Sequence, residues 1–505
     1  MTVPPDPDLE RAAKVVPLDA PVAAFEVLGQ YAGDPYVALL ESRGPTSPQG
    51  RYDYLCIDPF LVFRSKREAC FVGPPGDLEK KDGDPFAELG ALLRKLGGPP
   101  SAWTPDLPPF VGGAVGYLGY EMLYLVEKIP DEGRDDHELP DSYFVFYHSV
   151  IATDRLENRS WLITTGFAPT FEEASAIVDA KSAAAVAMLE AMPPPSSDRA
   201  AGDYRARRDA LVGSRRMSET TLRAAGIRPV VTHEEYTDMV RKAKEHIVAG
   251  DVFEVCTSQR FDAVLEDEAF ELYRVLRVVN EAPFASFLRF PELEVMSSSP
   301  ERFLSLDRER WAETRPIKGT RPRGATPEAD AEQYRDLATC EKDHAENIMI
   351  VDVARNDLGR VCEFGTVSVP ELRVIESFAF THQLVSTVRG RVRRNVEPLA
   401  LVRAAFPGGS MTGAPKVEAM KIIDQLEPVK RGVFSGAIGY FDFDGALGLS
   451  IVIRTFIKSG NDRLQFHVGG AIVADSDPED EYQETLDKAH GLVTALRMVT
   501  TRALP

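Results

Sequence analysis

The sequence predicts an α+β fold with antiparallel sheets, and two observations support this class. From about residue 35 to 165, short apolar runs alternate with turn signals, a pattern typical of strands joined by short connections. From about 232 to 495, strand and helix patterns are mixed without the strict alternation of a parallel sheet. We therefore expect an antiparallel architecture rather than a doubly wound one.

The first half of the chain reads as five strands and one helix. Residues 1 to about 20 are expected to be loosely ordered. The predicted strands are YVALLES, RYDYLCIDPFLVF, AVGYLGYEML, SYFVFYHSVIATD and RSWLITTGF. A helix is predicted over 170–190, before three prolines at 193–195. We place a first domain at 20–192 and, because 193–230 is rich in Pro, Ser, Arg and Gly, a linker or variable insertion there.

The second predicted domain, 231–497, begins with a helix. Thr232 and Glu235 form a capping-box pattern, and Gly250 ends the helical periodicity. Further helices are predicted at 327–357, 397–406, 415–426 and 477–499. The strand candidates are VFEVCTSQRF, FASFLRF, EVMSSS, RFLSLD, GVFSGAIGYFDFD, LSIVIRTFIK and RLQFHVGGAIV.

Composition narrows the classes of partner and compartment. The 505 residues carry a formal net charge of −20, which repels nucleic acid and anionic membranes, so neither is expected as a partner. Five cysteines without CxxC spacing indicate a reducing compartment and no structural zinc site. With no run of about 20 apolar residues and no signal peptide, we expect a soluble, cytoplasmic protein.

Cations are concentrated in RPIKGTRPRG, residues 315–324. It contains Arg315, Lys318, Arg321 and Arg323. In an acidic protein such a cluster favours an anion clamp. The alternative is that Lys318 is a nucleophile, which requires a neutral amine.

Two glycine-rich segments do not fit nucleotide-binding motifs. GGAVGYLG (112–119) lacks the GxGxxG pattern, and GGSMTGAPK (408–416) lacks the P-loop spacing between its last glycine and lysine. The second segment still places Lys416 near a helix N-terminus, which attracts anions.

Two pairs of carboxylates have the same helical spacing. Asp343 and Glu346 are three residues apart, as are Glu481 and Glu484, so each pair shares a helix face. A divalent cation such as Mg²⁺ would neutralise them, and a solvated acidic face is the alternative. His382 precedes an apolar strand pattern and is either a site residue or a core or capping histidine.

Taken together, the motifs resemble those of the chorismate-utilising enzymes, which include anthranilate, aminodeoxychorismate, isochorismate and salicylate synthases. The matching segments are SSSPERF (297–303), RPIKGTRPRG (315–324), EKDHAENIMIVDVARNDLGRV (341–361), THQLVSTVRG (381–390), FPGGSMTGAPKVEAMKIIDQLEP (406–428), GAIGYF (436–441), SIVIRT (450–455) and GGAIVADSDPEDEYQETLDKA (469–489). The first domain matches the anthranilate synthase component I type more loosely. The resemblance implies large antiparallel sheets packed face to face with helices outside, and an active site in a cleft between subdomains.

The resemblance also implies roles for residues in the matching motifs. Those roles are Mg²⁺ ligands (Glu346 and Glu484, with Asp343 and Glu481 in the outer shell), the general acid (Glu301), further catalytic residues (His382 and Lys416), and substrate binding (Arg454, Thr412 and the backbone of Gly469 and Gly470).

The PIKGT segment resembles the aminodeoxychorismate branch, whereas anthranilate synthases typically have PIAGT. This implies that Lys318 attacks chorismate to form a covalent adduct, which ammonia resolves to 4-amino-4-deoxychorismate, a precursor of p-aminobenzoate and folate. We expect burial and the neighbouring Arg315 and Arg321 to lower the pKa of Lys318. The alternatives are an anthranilate synthase component I and a non-catalytic relative that binds chorismate or tryptophan.

Some positions depart from the family pattern. Glu254 stands where amino-transferring members often have glutamine and isochorismate formers have lysine, and Gly448 stands where an aspartate is common. The sequence also lacks a GxCxG elbow with a downstream HxE, so the resemblance implies a separate glutamine amidotransferase subunit as the ammonia source.

A possible tryptophan site is implied by LLES (39–42) and RYDYL (51–55), and an ordinary strand pair is the alternative. The residues of this possible pocket are Leu40, Glu41, Ser42 and Arg51.

Overall fold

The computed structural model describes residues 9–31, 33–44, 49–97, 104, 106–192, 217–378, 381–460 and 462–500. The strands are β1 Glu10–Leu18, β2 Ala38–Glu41, β3 Tyr52–Lys66, β4 Ala69–Gly73, β5 Glu79–Asp82, β6 Gly113–Leu118, β7 Ser142–Asp154, β8 Arg159–Ala168, β9 Arg228–Pro229, β10 Glu254–Val264, β11 Phe284–Arg289, β12 Leu293–Ser299, β13 Arg302–Leu306, β14 Trp311–Thr314, β15 Ile317–Pro322, β16 Ser368–Ser377, β17 Thr381–Arg391, β18 Gly413–Ala414, β19 Ala437–Asp442, β20 Leu447–Ile451, β21 Thr455–Ser459 and β22 Arg463–Ile472. Neighbouring strands pair antiparallel, including β3 with β7 and β10 with β22. The predicted α+β class is confirmed.

Helices cover the outer faces of the strands. They are α1 Ala24–Leu28, α2 Pro85–Leu96, α3 Phe171–Ala191, α4 Glu219–Ala224, α5 His233–Ala249, α6 Ala269–Val279, α7 Pro327–Thr339, α8 Glu341–Gly359, α9 Pro398–Ala405, α10 Lys416–Leu426 and α11 Pro478–Thr500, with 3₁₀ turns at Gly29–Tyr31, Tyr120–Leu125 and Gly409–Met411. The capping box predicted at Thr232 and Glu235 is present, and Gly250 ends α5 in the left-handed conformation. Among the helices of the described ranges, none has both the length and the apolar character needed to cross a membrane.

Alternating side chains place the strands between different hydrophobic cores. In β7, Tyr143 and Val145 belong to a core formed almost wholly by strand residues, whereas Phe144 and Phe146 belong to a core that includes helices α2, α8 and α9. Tyr143 stacks on Phe290 from the second half of the chain, with ring centroids 4.0 Å apart. Because successive strand residues point to opposite faces, this division places sheet against sheet inside and helices outside.

Strands from the two predicted domains pair directly with each other. β2 pairs with β11, and β6 pairs with β19. The boundary at 193–230 therefore stays a prediction from the sequence. Residues 193–216 of the predicted linker lie outside the described residues, and from 217 onward the chain is packed, with Leu222 and Ile227 buried in the core.

The expectation of loose order over residues 1–20 is wrong from Glu10 onward. Residues Glu10–Leu18 form β1, which pairs with β8 along its whole length. The strand predicted over AVGYLGYEML is only half correct. Its first part forms β6, and Tyr120–Leu125 forms a 3₁₀ helix.

Two other predicted elements are divided in the structure. The helix predicted over 327–357 breaks at Cys340, whose extended backbone (φ −68°, ψ 105°) separates α7 from α8. The strand predicted over LSIVIRTFIK breaks between β20 and β21, where Arg454 has a positive φ of 53°. The second break is hidden from the hydrophobic pattern because Ile451 and Val452 before it and Phe456 after it are all buried.

A buried ion pair joins the two halves of the chain. Arg277 on α6 donates to both carboxylate oxygens of Glu41 on β2, at 2.7 and 2.6 Å, and the Tyr273 hydroxyl donates to the same carboxylate at 2.7 Å. Burial opposes ionisation of Glu41, but Arg277 outweighs it and holds the pKa of that carboxyl below its usual value.

The same contacts occupy the polar groups of the possible tryptophan pocket. Besides Glu41, the Ser42 hydroxyl donates to the Pro283 carbonyl at 2.8 Å, and Arg51 pairs with Asp154 at 2.6 Å. Leu40 lies on β2 beside these residues. Tryptophan binding here stays a prediction.

Arg277→Ala should destabilise the fold strongly, because it leaves the Glu41 charge buried without its cation. We expect a loss of about 3–5 kcal/mol in the free energy of unfolding, measured by chemical denaturation. Arg223→Ala removes an exposed pair with Glu219 and should cost less than about 1 kcal/mol. Equal effects of the two substitutions would contradict the importance of the buried pair.

Candidate active site

A large cleft of about 980 Å³ opens in the second half of the chain. It is lined by β10, β15, β22, α8, α11 and the segments around Glu301 and Arg454. The cleft brings together many of the residues predicted from the motifs: Glu301, Lys318, Asp343, Glu346, Arg454, Gly469, Gly470, Glu481 and Glu484. All its lining residues belong to the predicted second domain, 231–497.

Lys318 forms a buried ion pair within this cleft. Its Nζ lies 2.6 Å from Oε1 of Glu254, and the Glu254 side chain is fully buried. The Cys256 thiol, on the same strand as Glu254, is 3.6 Å from that oxygen. Lys318 thus lines the cleft, while Glu254 lies behind it and is absent from the lining.

The expectation that the neighbouring arginines lower the pKa of Lys318 is wrong. Arg315 is paired with Glu376 at 2.7 Å, and Arg321 is paired with Asp343 at 2.9 Å. Burial alone would lower the pKa of Lys318, but Glu254 outweighs it and holds that pKa above its usual value. In the free protein, Lys318 is therefore an ammonium group.

Glu301 has the protonation behaviour of a general acid near neutral pH. Burial raises the pKa of its carboxyl to about 7, although hydrogen bonds from Ser410 and the Ile317 backbone oppose this. Ile317 directly precedes Lys318, so the acid and the lysine lie close together in the cleft wall. A carboxyl that stays protonated near pH 7 can donate a proton to a leaving group.

The two predicted carboxylate pairs face each other across the cleft. Glu346 lies on α8 and Glu484 on α11, and Lys342 on α8 acts electrostatically on both. Glu484 pairs with Lys488 at 2.6 Å, and this cation holds its pKa low. Burial raises the pKa of Glu346. The spacing argument therefore identified two helix faces that meet at one site.

These carboxylates fit a hard divalent cation in donor type. Oε2 of Glu481 is buried and has no hydrogen-bond partner among the described residues, and Gly470 leaves space beside both Glu481 and Glu484. Within the described ranges, however, no three His, Cys, Asp or Glu side chains converge closely enough to form a complete metal site.

Arg454 presents a cation to the cleft without a protein counterion. No ion pair or hydrogen bond of its side chain is found among the described residues, and burial alone lowers its pKa. Gly448 supplies no aspartate, and a side chain there would collide with the Tyr440 ring. A desolvated guanidinium without a partner is unfavourable, and a carboxylate would satisfy it with two hydrogen bonds.

Gly469 and Gly470 form a part of the cleft wall where side chains do not fit. A Cβ at Gly469 would lie 2.3 Å from the Thr257 carbonyl, and one at Gly470 would lie 2.8 Å from Oε2 of Glu481. Only glycine leaves the backbone of these residues open to a bound molecule.

Three of the predicted site residues do not line the cleft. Lys416 donates to Asp357 at 2.6 Å and to the Ala405 carbonyl at 2.7 Å. Thr412 is fully buried and bonds to neighbouring backbone. His382 contacts Ser377 and Asp330 on the far side of β17. Their proposed roles stay predictions, and the geometry supports positioning roles instead.

Gln383 is a cleft residue that sequence reasoning missed. It lines the cleft beside Thr381, and its Oε1 is buried without a partner among the described residues. Strand alternation gives the reason: residues 381 and 383 share one face, and His382 points to the other. The sequence showed that side chains alternate between two faces around His382. It did not show which face of β17 would be turned toward the cleft.

An aromatic pair, Phe434 and His467, forms another part of the cleft wall. His467 stacks on Phe434 with ring centroids 4.9 Å apart, and burial holds the pKa of His467 well below its usual value. Arg431 lies beside them but is already paired with Glu427 at 2.6 Å. Among the described residues, the cleft cation that has no carboxylate partner is therefore Arg454.

Comparison with known proteins agrees with this geometry. Residues 38–494 match the family described as chorismate binding enzyme. The chain is 44% identical over 399 residues to an aminodeoxychorismate synthase of Streptomyces griseus, covering 78% of this chain and 51% of that relative. It therefore spans about half the length of that relative.

Two further relatives cover nearly the whole chain. Aminodeoxychorismate synthase component 1 of Salmonella typhimurium is 37% identical over 463 residues, 92% of this chain and 93% of the relative. The crystal structure of anthranilate synthase component I from Streptococcus pneumoniae superposes with a TM-score of 0.72 at 30% identity, over 89% and 93% of the two chains.

The chain belongs to the family of chorismate binding enzymes. The family match covers most of its length, and most of the motifs that carry the sequence resemblance contribute residues to the cleft described above. The family resemblance and the fold predicted from the sequence are confirmed.

Substitution of Gln383 and His382 tests which face of β17 serves the site. Gln383→Ala should weaken the binding of chorismate, the ligand that names the family, by about tenfold in Kd, the effect of losing one polar contact of about 1.4 kcal/mol. His382→Ala should mainly lower the unfolding temperature and leave this Kd within about threefold, because its contacts lie outside the cleft. The reverse pattern in titration calorimetry would contradict the assignment.

Proposed function

We propose that this protein aminates chorismate at C4 and forms 4-amino-4-deoxychorismate, as an aminodeoxychorismate synthase component I. The observation that carries the proposal is Lys318 in the cleft wall, close to the buried acid Glu301 and opposite the carboxylates of α8 and α11. The aminodeoxychorismate synthases among its relatives support it.

Binding of chorismate uses the free cation and the glycine wall. Arg454 would hold one carboxylate of the substrate, and the backbone NH groups of Gly469 and Gly470 would hold the other. Chorismate carries two carboxylates. One would take Arg454 as its counterion and the other would bind backbone NH groups, because the other described cations of the cleft are already paired with protein carboxylates. Gln383 and the stacked Phe434 and His467 would restrict the orientation of the ring.

Departure of the C4 hydroxyl requires a proton, because hydroxide is a poor leaving group. Glu301 is protonated up to about pH 7 and would donate this proton as the C4–O bond breaks. Lys318 would attack C2 with its lone pair, and the two ring double bonds would shift toward C4. Ammonia would then add at C4 and expel the lysine.

A divalent cation such as Mg²⁺ would be held by Glu346 and Glu484, with Asp343 and Glu481 around them. When bound, it would offset the negative charge of these carboxylates and of the substrate. The fit in donor type supports this assignment. In the free protein, Lys342 and Lys488 lie against the same carboxylates.

Formation of anthranilate is the second candidate function. It is favoured by the overlap with an anthranilate synthase component I structure over 89% of the chain. The two candidate functions differ in their need for Lys318. Formation of anthranilate by direct attack of ammonia at C2 needs no lysine nucleophile. A binding protein without activity is less consistent with the acid, lysine and carboxylates meeting in one cleft.

Ammonia would come from a separate glutamine amidotransferase subunit. The Salmonella relative is called component 1, which names a part of a larger enzyme. No glutaminase motif was found in the sequence, so free ammonium should replace the partner at high concentration.

A product assay separates the candidate activities. The protein incubated with chorismate, Mg²⁺ and ammonium should yield p-aminobenzoate only after addition of an aminodeoxychorismate lyase. Glutamine should replace ammonium only when an amidotransferase subunit is present. Fluorescent anthranilate as the main product would overturn the proposal.

Two lysine substitutions separate a nucleophile from a carboxylate clamp. Lys318→Ala and Lys318→Arg should both lose more than about 100-fold in kcat, because neither supplies a neutral amine at C2. A clamp would instead retain activity in Lys318→Arg. Lys242→Ala, which removes an exposed lysine paired with Asp238, is the matched control and should leave kcat unchanged.

The pH dependence should report the titration of Glu301. Because burial raises its pKa to about 7, the protonated acid is present below that pH and is lost above it. At a fixed concentration of free ammonia, kcat/KM for chorismate should fall about tenfold per pH unit above about 7. Glu301→Gln should remove this limb, and a wild-type profile that stays flat to pH 9 would contradict the role.

A further inference from the structure

Glu254 is a buried carboxylate with only half of its hydrogen-bonding capacity used. Oε1 lies 2.6 Å from Nζ of Lys318, while Oε2 has no partner among the described residues. The side chain is fully buried behind Lys318 and does not line the cleft. It therefore reaches a bound substrate only through the lysine.

Stability does not explain this pair. Taking two charges out of water is expensive, and the attraction compensates only when the remaining polar atoms are also satisfied. Here one carboxylate oxygen remains unsatisfied. A buried, incompletely satisfied ion pair beside a reaction cleft points to a functional reason for keeping the charge.

We propose that Glu254 positions Lys318 and accepts its proton as the lysine attacks the substrate. This inference rests on the proposed function, in which Lys318 is the nucleophile. It assigns Glu254 as a catalytic residue that acts on the nucleophile, since it contacts the reacting nitrogen and takes its proton without touching the substrate.

The side chains of Glu254, Lys318 and Glu301 account for every proton and electron pair that moves in the proposed reaction. Glu254 takes one proton from the Lys318 ammonium, and the freed lone pair forms the Nζ–C2 bond. The ring double bonds shift, the C4–O bond breaks, and Glu301 protonates the oxygen to give water. Ammonia then bonds to C4, the double bonds shift back, and the C2–N bond breaks with its electron pair on Nζ.

The last two proton transfers restore the resting state. Lysine leaves as a neutral amine and takes its proton back from Glu254. The new C4 ammonium returns a proton to Glu301. The sum is chorismate plus ammonia giving aminodeoxychorismate plus water, with no other reactant required.

Other ionisable groups face Lys318 from each element around it. They are Glu254 and Cys256 on β10, Glu301 after β12, Glu346 on α8 and Glu484 on α11. Burial raises the pKa of the Cys256 thiol to about 12, so it is neutral at working pH. Among the described residues, only Glu254 is within hydrogen-bonding distance of Nζ.

The test compares Glu254→Gln, Glu254→Asp and the wild type in two measurements. The first is kcat and KM against pH with chorismate and ammonium. The second is the pH dependence of Lys318 labelling by acetic anhydride, read by mass spectrometry, which needs no turnover. Circular dichroism confirms that each variant is folded.

Glu254→Gln should lose about 100-fold in kcat at pH 7, the usual effect of removing a proton acceptor, with KM changed less than threefold. Its kcat should rise with pH where the wild type does not, because Lys318 then loses its proton to solvent. Its Lys318 labelling should begin at least one pH unit lower. Glu254→Asp should keep the wild-type shape of both profiles.

Unchanged kcat and labelling profiles in Glu254→Gln would overturn the role of Glu254 and leave the proposed function intact. If Glu254→Gln fails to fold, Glu254→Asp serves as the test. Labelling of Lys318 in Glu254→Asp with the pH dependence of an isolated lysine would then overturn the role of Glu254. Full activity of Lys318→Ala would instead show that Lys318 is not the nucleophile. It would overturn the covalent step of the proposed function and, with it, the role of Glu254.

Discussion

Pairing between strands from opposite halves of the chain is the constraint on which the cleft depends. β6 pairs with β19, and β19 pairs with β20, whose end leads into the turn that carries Arg454. The approach of β6 to β19 is close: a Cβ at Gly113 would lie 2.0 Å from the Phe441 carbonyl. Among the described residues, the first half of the chain contributes none to the cleft lining, but through β19 and β20 it supports the turn that carries Arg454. Its sheet acts as the support of the site.

Most cations in and around the cleft are paired with carboxylates, so the number of cations alone does not show which of them can bind a substrate. The cationic segment first read as an anion clamp is largely neutralised, since Arg315, Arg321 and Arg323 each have their own carboxylate. Lys318 is paired as well, but with a carboxylate whose second oxygen, Oε2 of Glu254, has no partner among the described residues. Of the described arginines that line the cleft, Arg454 alone has no carboxylate partner. In the proposed function, the site therefore separates a binding cation, Arg454, from a reactive one, Lys318.

Features that depend on local periodicity were predictable from the sequence. The capping box at Thr232 and the helix faces carrying Glu346 and Glu484 follow from helical spacing, and both are found where expected. The helical patterns needed only neighbours in sequence. The role of Glu301 as general acid and the roles of Gly469 and Gly470 came from the resemblance to a known family, and they stay predictions.

Features that depend on which elements meet in space were not predictable. The partner of Lys318 lies 64 residues away on another strand, so neighbouring arginines gave the wrong direction for its pKa. The choice between His382 and Gln383 depends on which face of β17 is buried, and a shift of one residue reverses it. The buried ion pair between Glu41 and Arg277 joins the two halves of the chain, and no motif in the sequence contains both residues.

Arg454 combines an unfavourable backbone with an unfavourable side-chain environment. Its φ of 53° is one that glycine adopts freely and other residues adopt at a cost of about 1 kcal/mol, and its guanidinium has no counterion among the described residues. Selection for stability alone would replace it with glycine. Consensus or computational stabilisation of this chain would thus relax the turn but remove the guanidinium that we propose binds a carboxylate. Conformational strain at this turn is therefore a feature that thermostability screens would eliminate together with the proposed function.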